Sequence, residues 1–312
     1  MKPAETNRVS ADEQAAQRFL EAERAERGGV ATAAQSGHND WAPLPRRSRP
    51  KQPSALLTIR KPIPRRTKLT LNILSFAVPL LVWILLSATE AVDPKMLPSP
   101  LAALSAGWDL AQSGKLFTDW WATVGRILYG FGLAVVVSVP IGMAMGTFAA
   151  GRAFFEPIMS LLRYLPPSAL IPLMMIWLGV DEVLKIGVLF IGTVFYNTFM
   201  TADVVRSVPP QLVNVSYTLG ARRNEVLRKV IVPHSLPGMI DAVRVNMAAA
   251  WNLVVVAEVI ASTTGLGRGI VQAQRFNSVD EIFAMLFVIG VSGVLIDVAL
   301  RLLRDRVGRW AA

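Results

Sequence analysis

The sequence predicts an all-α membrane protein with six transmembrane helices, and three observations lead there. Of 312 residues, 53% are hydrophobic and only 17% charged, with a mean hydropathy of +0.43. A soluble domain carries about a quarter charged residues. The deficit falls after residue 70, in apolar runs long enough to cross about 30 Å of hydrocarbon. The basic residues gather on one set of loops and chain ends, as membrane topology requires.

Residues 1–68 have no sustained apolar periodicity and read as a disordered, basic cytoplasmic tail. Ala11 to Arg27 offers one charged helical pattern around Phe19 and Leu20. Nine basic residues and no acid lie between Arg46 and Lys68, close to Pro43, Pro45, Pro50, Pro53, Pro62 and Pro64. Proline at this density forbids regular helix. A basic cluster just before an apolar span sets orientation and favours anionic headgroups. The net charge of +10 is therefore a juxtamembrane feature and not a nucleic-acid footprint. The first apolar run begins near Leu69, too deep in the chain for a secretory signal.

Six spans are expected at 69–88, 121–148, 156–178, 184–201, 239–261 and 283–303. The first stands alone, and the rest fall in a domain over 118–304. Span two contains Gly130, Gly132, Gly142 and Gly146 with Pro140. Small residues let helices approach closely in a bilayer, so it reads as a packed inner helix. Span three holds Pro166, Pro167 and Pro172 and is expected to break. Broken backbone at membrane depth survives only when covered by protein or lining a cavity, which makes this span a translocation-path candidate.

Charge sets the orientation. The tail is basic. The 202–238 loop carries Arg206, Arg222, Arg223, Arg228 and Lys229 against Asp203 and Glu225. The C-terminal end carries Arg301, Arg304, Arg306 and Arg309 against Asp305. The loops at 89–120 and 262–282 are balanced or acidic. Both termini and the 202–238 loop are thus expected on the cytoplasmic side, N-in and C-in.

Nothing points to chemistry within the chain. There is no cysteine, and the two histidines, His38 and His234, make no metal-ligand pattern. Gly114-Lys115 lacks the rest of a phosphate-binding loop. The run Gly265-Leu-Gly267-Arg-Gly269 has no preceding strand and reads as a tight extracellular turn. No catalytic, metal or cofactor-binding residues are assigned.

The 202–238 loop is the exception to this blandness. Leu212, Val215 and Leu219 recur at helical spacing, and Gly220 interrupts them. Val226, Leu227 and Val230 resume the pattern, and Pro233 is expected to stop it. Two short amphipathic helices turning at a glycine make a knob, and short helices are marginal without partners. Residue physics alone leaves two readings open, a partner-docking element and a basic loop that only fixes topology.

Here a resemblance enters. Gly220, nine residues, then Val230-Ile-Val-Pro233 resembles the cytoplasmic loop signature of binding-protein-dependent ABC importer permeases. Thr218-Leu-Gly-Ala-Arg222 resembles the segment around that glycine. Leu165-Pro-Pro-Ser-Ala-Leu-Ile-Pro172, Trp177-Leu-Gly179, Val256-Ala-Glu-Val259 and Thr264-Gly-Leu-Gly267 match in order and spacing. Together they resemble the nitrate/sulfonate/taurine/bicarbonate branch over roughly residues 95–310. One departure stands out: Asn214-Val215-Ser216 replaces the Glu-Ala-Ala that names the loop.

The resemblance implies a type I ABC importer transmembrane domain in a bacterial inner membrane. It implies a permease homodimer, a cytoplasmic ABC ATPase that binds the ATP, and a periplasmic or lipid-anchored substrate-binding protein. It makes the loop, with Leu219, Gly220, Ala221, Arg222, Arg223, Glu225 and Pro233, the coupling element. The substrate class it implies is a small oxyanion such as nitrate, taurine, an alkanesulfonate or bicarbonate.

Polar groups at membrane depth are candidates for the path. Arg126 and Asn197 belong to this set, and Arg163, Asn246, Asn252 and Glu258 are the ones taken forward. An anion prefers Arg163 or an Asn amide and dislikes a bare Glu258. Two structural roles compete: Arg163 reaching to the cytoplasmic headgroups, and Glu258 pairing with an arginine to hold the bundle. At the level of the whole protein the alternatives are an ion-coupled secondary transporter and a membrane scaffold that recruits a soluble enzyme.

Overall fold

The computed structural model describes Arg18, Leu20 to Ala22 and residues 63–309. The expected tail, with its basic cluster as far as Lys61, lies almost wholly outside the described residues. The chain divides after Asn72 into two units. In the first, Arg18 and Leu20 to Ala22 are helical, and helix α1 (Arg65–Ala88) begins before running on into the second.

All described elements are helices. After α1 come α2 (Pro100–Gln112), α3 (Lys115–Thr147), α4 (Ala149–Leu162), α5 (Pro167–Leu178) and α6 (Glu182–Arg206). Then follow α7 (Pro210–Thr218), α8 (Arg223–Val226), a π-helical turn (Leu227–Ile231), α9 (Val232–Ala261), α10 (Leu266–Arg275) and α11 (Val279–Val307). Among the described residues, five helices are long and apolar enough to cross a membrane. The α4–α5 pair, bent by 91°, supplies a sixth, broken span. Every expected span is present. The break in span three falls where Pro166 and Pro167 stand, because two consecutive residues there bring no N–H.

The centre of the bundle is α6 against α3. Gly130, Ala134, Ser138, Gly142 and Gly146 recur every four residues on one face of α3, and α6 lies on that face. The approach is close enough that a methyl group at Gly142 would sit 2.6 Å from Thr198 O and from Thr201 Cβ. One at Gly146 would sit 2.6 Å from Val205 Cβ. Asn197 of α6 donates to Ser138 Oγ at 2.5 Å across the same seam. Ile127, Phe131, Leu189, Met247, Ala250, Trp251 and Val254 fill the space between α3, α6 and α9. Helix α1 buries no residue in its own chain and is apolar all round, which suits a lipid-facing helix. Its Trp83 donates to Pro98 O at 2.9 Å and stacks on Phe283 at 5.2 Å between ring centroids.

Three expectations need correction. The stretches 89–120 and 262–282 are not simple loops, since α2 and α10 lie in them. The Gly265–Gly269 run is the turn and first residues of α10. Pro233 does not stop a helix. It has no N–H to give Lys229 O, and the backbone absorbs the loss by widening: Val232 donates to Leu227 O, five residues back. Residues Arg223–Ala261 therefore run on as one rod of 39 residues. At 1.5 Å per residue that is about 58 Å, roughly twice the hydrocarbon thickness.

Candidate functional site

The rod's first turns and α7 form the knob that the sequence singles out. Helix α7 ends in a capping motif built on Gly220. Gly220 N–H donates to Tyr217 O at 2.9 Å and Ala221 N–H to Ser216 O at 3.0 Å, with Gly220 at φ +82°. These are the two bonds of a Schellman cap, whose C′ residue must be left-handed, hence glycine. Leu219, 81% exposed, precedes it. The next helix starts at once. The Glu225 carboxylate accepts the Arg222 N–H at 2.9 Å and binds Lys229 Nζ at 3.3 Å. Arg223 lays its guanidinium over the Phe148 ring at 4.5 Å, fastening the knob to the α3–α4 junction.

Glu225 and Arg223 thus have structural partners, whereas Ala221 and Arg222 flank the turn, and the Arg222 guanidinium makes no ion pair among the described residues. The apolar stripe Leu212, Val215 and Leu219 lies exposed. A cleft of about 350 Å³ runs between the two helical segments, lined by Leu219, Gly220, Ala221 and Val226 among others.

At the other end of α9 lies the most elaborate feature of the molecule, of which sequence reasoning anticipated only Glu258 pairing with an unnamed arginine. Arg126 of α3 spends all five N–H donors. Nη1 meets Glu258 Oε1 at 2.7 Å and Thr264 O at 2.8 Å. Nε and Nη2 grip Glu182 bidentately at 2.7 Å each, and Nη2 also meets Thr264 Oγ1 at 3.0 Å. Lys185 Nζ joins Glu182 at 2.8 Å. Glu258 is fully buried and accepts in addition from Thr123 Oγ1 at 2.8 Å.

Three successive N–H groups at the start of α10 find three different acceptors. Gly265 donates to Asp119 at 2.8 Å, Leu266 to Thr123 at 2.9 Å and Gly267 to Glu258 at 2.8 Å. The Glu258 carboxylate thus lies at a helix N-terminus, where the dipole and free N–H groups favour an anion. A Cβ at Gly265 would stand 2.5 Å from Arg126 Nη1, so that glycine is required both by φ +113° and by space. The readable signal was one Arg and one Glu in two apolar spans, each near the predicted outer end, with a glycine-rich turn between the spans of that side.

The four path candidates do not converge. Glu258 is held as described. Asn246 is buried and donates to Thr193 O at 3.0 Å, holding α9 to α6. Asn252 is exposed. Arg163 stands at the break between α4 and α5, with its guanidinium 5.0 Å from the Tyr164 ring and 4.8 Å from the Phe199 ring. Among the described residues no group of three or more metal-ligating side chains occurs.

A helical bundle with one broken span, a small-residue seam and an exposed knob at the end of a 39-residue rod is the architecture of a multi-pass membrane domain. The chain belongs to the binding-protein-dependent transport system inner membrane component family, whose profile matches residues 137–311. It is 39% identical over 246 residues to a probable ABC transporter permease protein of Brucella melitensis, covering 79% of this chain and 99% of the relative. It is 34% identical over 253 residues to the taurine transport system permease protein TauC of Escherichia coli, covering 79% and 92%. The fold matches the MetNI methionine ABC transporter with a TM-score of 0.54 at 19% identity, over 60% of this chain and 93% of that one. The chain is the permease subunit of an ABC importer with the type I fold, a multi-pass transport subunit and not an enzyme. Such systems pair the membrane component with an ATPase and a substrate-binding protein.

Proposed function

We propose that two copies of this chain form the translocation path for a small oxyanion in a bacterial inner membrane, with both termini cytoplasmic. ATP is bound by the partner ATPase and not by this chain. The knob around Gly220 docks on that ATPase. The observation that carries this reading is the knob's construction: an exposed apolar stripe, a rigid glycine cap, and a rod that continues from the turn through the bilayer to Glu258. About 20 residues suffice to cross hydrocarbon, so the first half of the rod projects into water. Asp241 and Arg244, paired with one another at 3.2 Å, mark where it enters the membrane.

Oxyanion substrates are supported by the similarity to TauC, whose name gives taurine, a sulfonate. Arg163 and Asn252 are assigned to the path. Asn246 and Glu258 act beside it by holding α6 and the α10 turn. A secondary transporter would need carboxylates free to titrate near the midplane, and the carboxylates buried among the described residues, Asp119 and Glu258, both accept hydrogen bonds around the α10 turn, near the outer end of the bundle. The test is reconstitution with the ATPase and the binding protein. Uptake of taurine, ethanesulfonate or bicarbonate that requires ATP and binding protein is expected. Uptake driven by an ion gradient without ATP would refute the reading.

A further inference from the structure

We infer that Arg163 is the anion-selecting residue of the path, acting at the elbow between α4 and α5. The inference rests on the oxyanion reading and deepens it. Three observations lead to it.

The first concerns charge. Arg126, Lys185 and Arg244, each set within an expected span, pair with carboxylates. None of the ion pairs among the described residues involves Arg163. Its partners are the faces of Tyr164 and Phe199 and the Tyr164 hydroxyl at 3.1 Å. Aromatic faces hold a guanidinium in place while leaving its net charge uncancelled. The elbow itself is pinned by the Tyr196 hydroxyl, which donates to Arg163 O at 3.2 Å.

The second concerns depth. Tyr196 and Phe199 lie four to seven residues inside Asp203, the first charged residue toward that end of α6, which places the elbow about 6–10 Å into the apolar zone. The third concerns surroundings. Tyr164 is 75% exposed and Leu165 45% exposed, so the chain does not cover its own break. Non-helical backbone at membrane depth is not tolerated against lipid tails. Such backbone needs cover from protein or a water-filled cavity, and its own chain gives it none. The elbow is therefore placed on the path between the two copies, where it offers a fixed, unneutralised positive charge. A planar guanidinium suits the oxygens of a sulfonate, nitrate or bicarbonate better than an ammonium does. The N-terminus of α5 begins four residues on and adds a dipole of the same sign.

The natural absence of cysteine gives a direct test. Wild type, Arg163→Met, Arg163→Lys and Arg163→Cys are each purified with the ATPase and reconstituted with the binding protein. Initial uptake of radiolabelled taurine, ethanesulfonate and bicarbonate is measured per assembled complex. Arg163→Met is expected to lose about tenfold or more, and Arg163→Lys to be intermediate. Arg163→Cys treated with 2-aminoethyl methanethiosulfonate should regain uptake, whereas the neutral methyl reagent should not restore it. That split by charge is one a merely structural role would not produce.

Each measurement is repeated in liposomes with and without anionic lipid. If the Arg163→Met defect appears only with anionic lipid, the residue serves headgroups and the inference is overturned. Arg163→Met at more than half the wild-type rate overturns it too, as does equal rescue by both reagents. If wild type takes up none of the three probes, the oxyanion reading itself falls. Should Arg163→Met not assemble, the modified Arg163→Cys pair decides alone, since both start from one assembled protein.

Discussion

Arg126 Nη1 and Glu258 Oε1 lie 2.7 Å apart, on residues 132 positions distant in sequence and 3% and 0% exposed in their side chains. The pair ties α3 to α9 and, through Thr264 and Gly267, both helices to the turn before α10. Removing one partner of a buried ion pair leaves a charge uncompensated, at a cost of about 3–5 kcal/mol, whereas replacing both by apolar groups can be neutral. Arg126→Met and Glu258→Leu are each expected to lower the thermal stability of the purified protein strongly. The double variant should be more stable than the two effects summed, with a coupling energy of roughly 1–3 kcal/mol. Additive losses would show that the two side chains do not act as a pair.

The α3–α6 seam predicts opposite outcomes for two glycines of one helix. Gly142→Ala places a methyl 2.6 Å from α6 and forces the helices apart, which should cost about 1–3 kcal/mol as overpacking does. Gly132→Ala meets nothing within 4 Å and gains up to about 1 kcal/mol in helix propensity. Melting in detergent, followed by the loss of monodisperse protein, should rank Gly132→Ala at or above wild type and Gly142→Ala well below. Equal effects would mean that α3 and α6 do not pack as closely as described.

What the sequence revealed follows from range. Spans, the break at Pro166–Pro167, the small face of α3 and the turn at Gly220 depend on local composition, and all were readable. Pro233 misled because proline removes one hydrogen bond but does not dictate how the backbone responds. Here a five-residue bond from Val232 keeps the rod intact. An arginine partner for Glu258 was legible, but its identity and the rest of the cluster escaped, because the members come from α3, α6, α9 and the α10 turn, and no periodicity links positions so far apart. The Gly265 turn looked bland for the same reason: its purpose, clearing space for a guanidinium, lies in another segment. Glu225, assigned to the coupling element, also caps its own helix through the Arg222 N–H, a bond visible in the sequence as an acid three residues after a turn.

Orientation is testable in the cysteine-free chain. Positive charge on the 202–238 loop and the C-terminal end predicts that they lie on the cytoplasmic side. Thr263→Cys, exposed at the opposite end of α9 from the knob, should react in intact cells with an impermeant thiol reagent. Arg222→Cys should react only after the cells are opened. Labelling of position 222 from outside would invert the topology and remove the knob from any cytoplasmic partner.

The knob gives the sharpest prediction. Gly220 sits at φ +82° with open space around a would-be Cβ, so a substitution there is strained by conformation and not by collision. Asn tolerates the left-handed region, and a β-branched residue does not. Gly220→Asn should therefore retain most transport, and Gly220→Val should lose the Schellman bonds from Gly220 and Ala221, freeing α7 from its angle to the rod. Because α7 buries no residue in its own chain, the valine variant should not unfold the bundle: insertion and melting should stay near wild type. What should fall is co-purification of the ATPase and substrate-stimulated ATP hydrolysis in proteoliposomes. Ala221→Trp should do the same by bulk at the docking face, while Arg222→Ala should do less, since an exposed ion pair contributes only about 0–1 kcal/mol. If Gly220→Val kept the ATPase bound and transported at the wild-type rate, the knob would only fix topology, and force from ATP hydrolysis would have to enter the rod elsewhere.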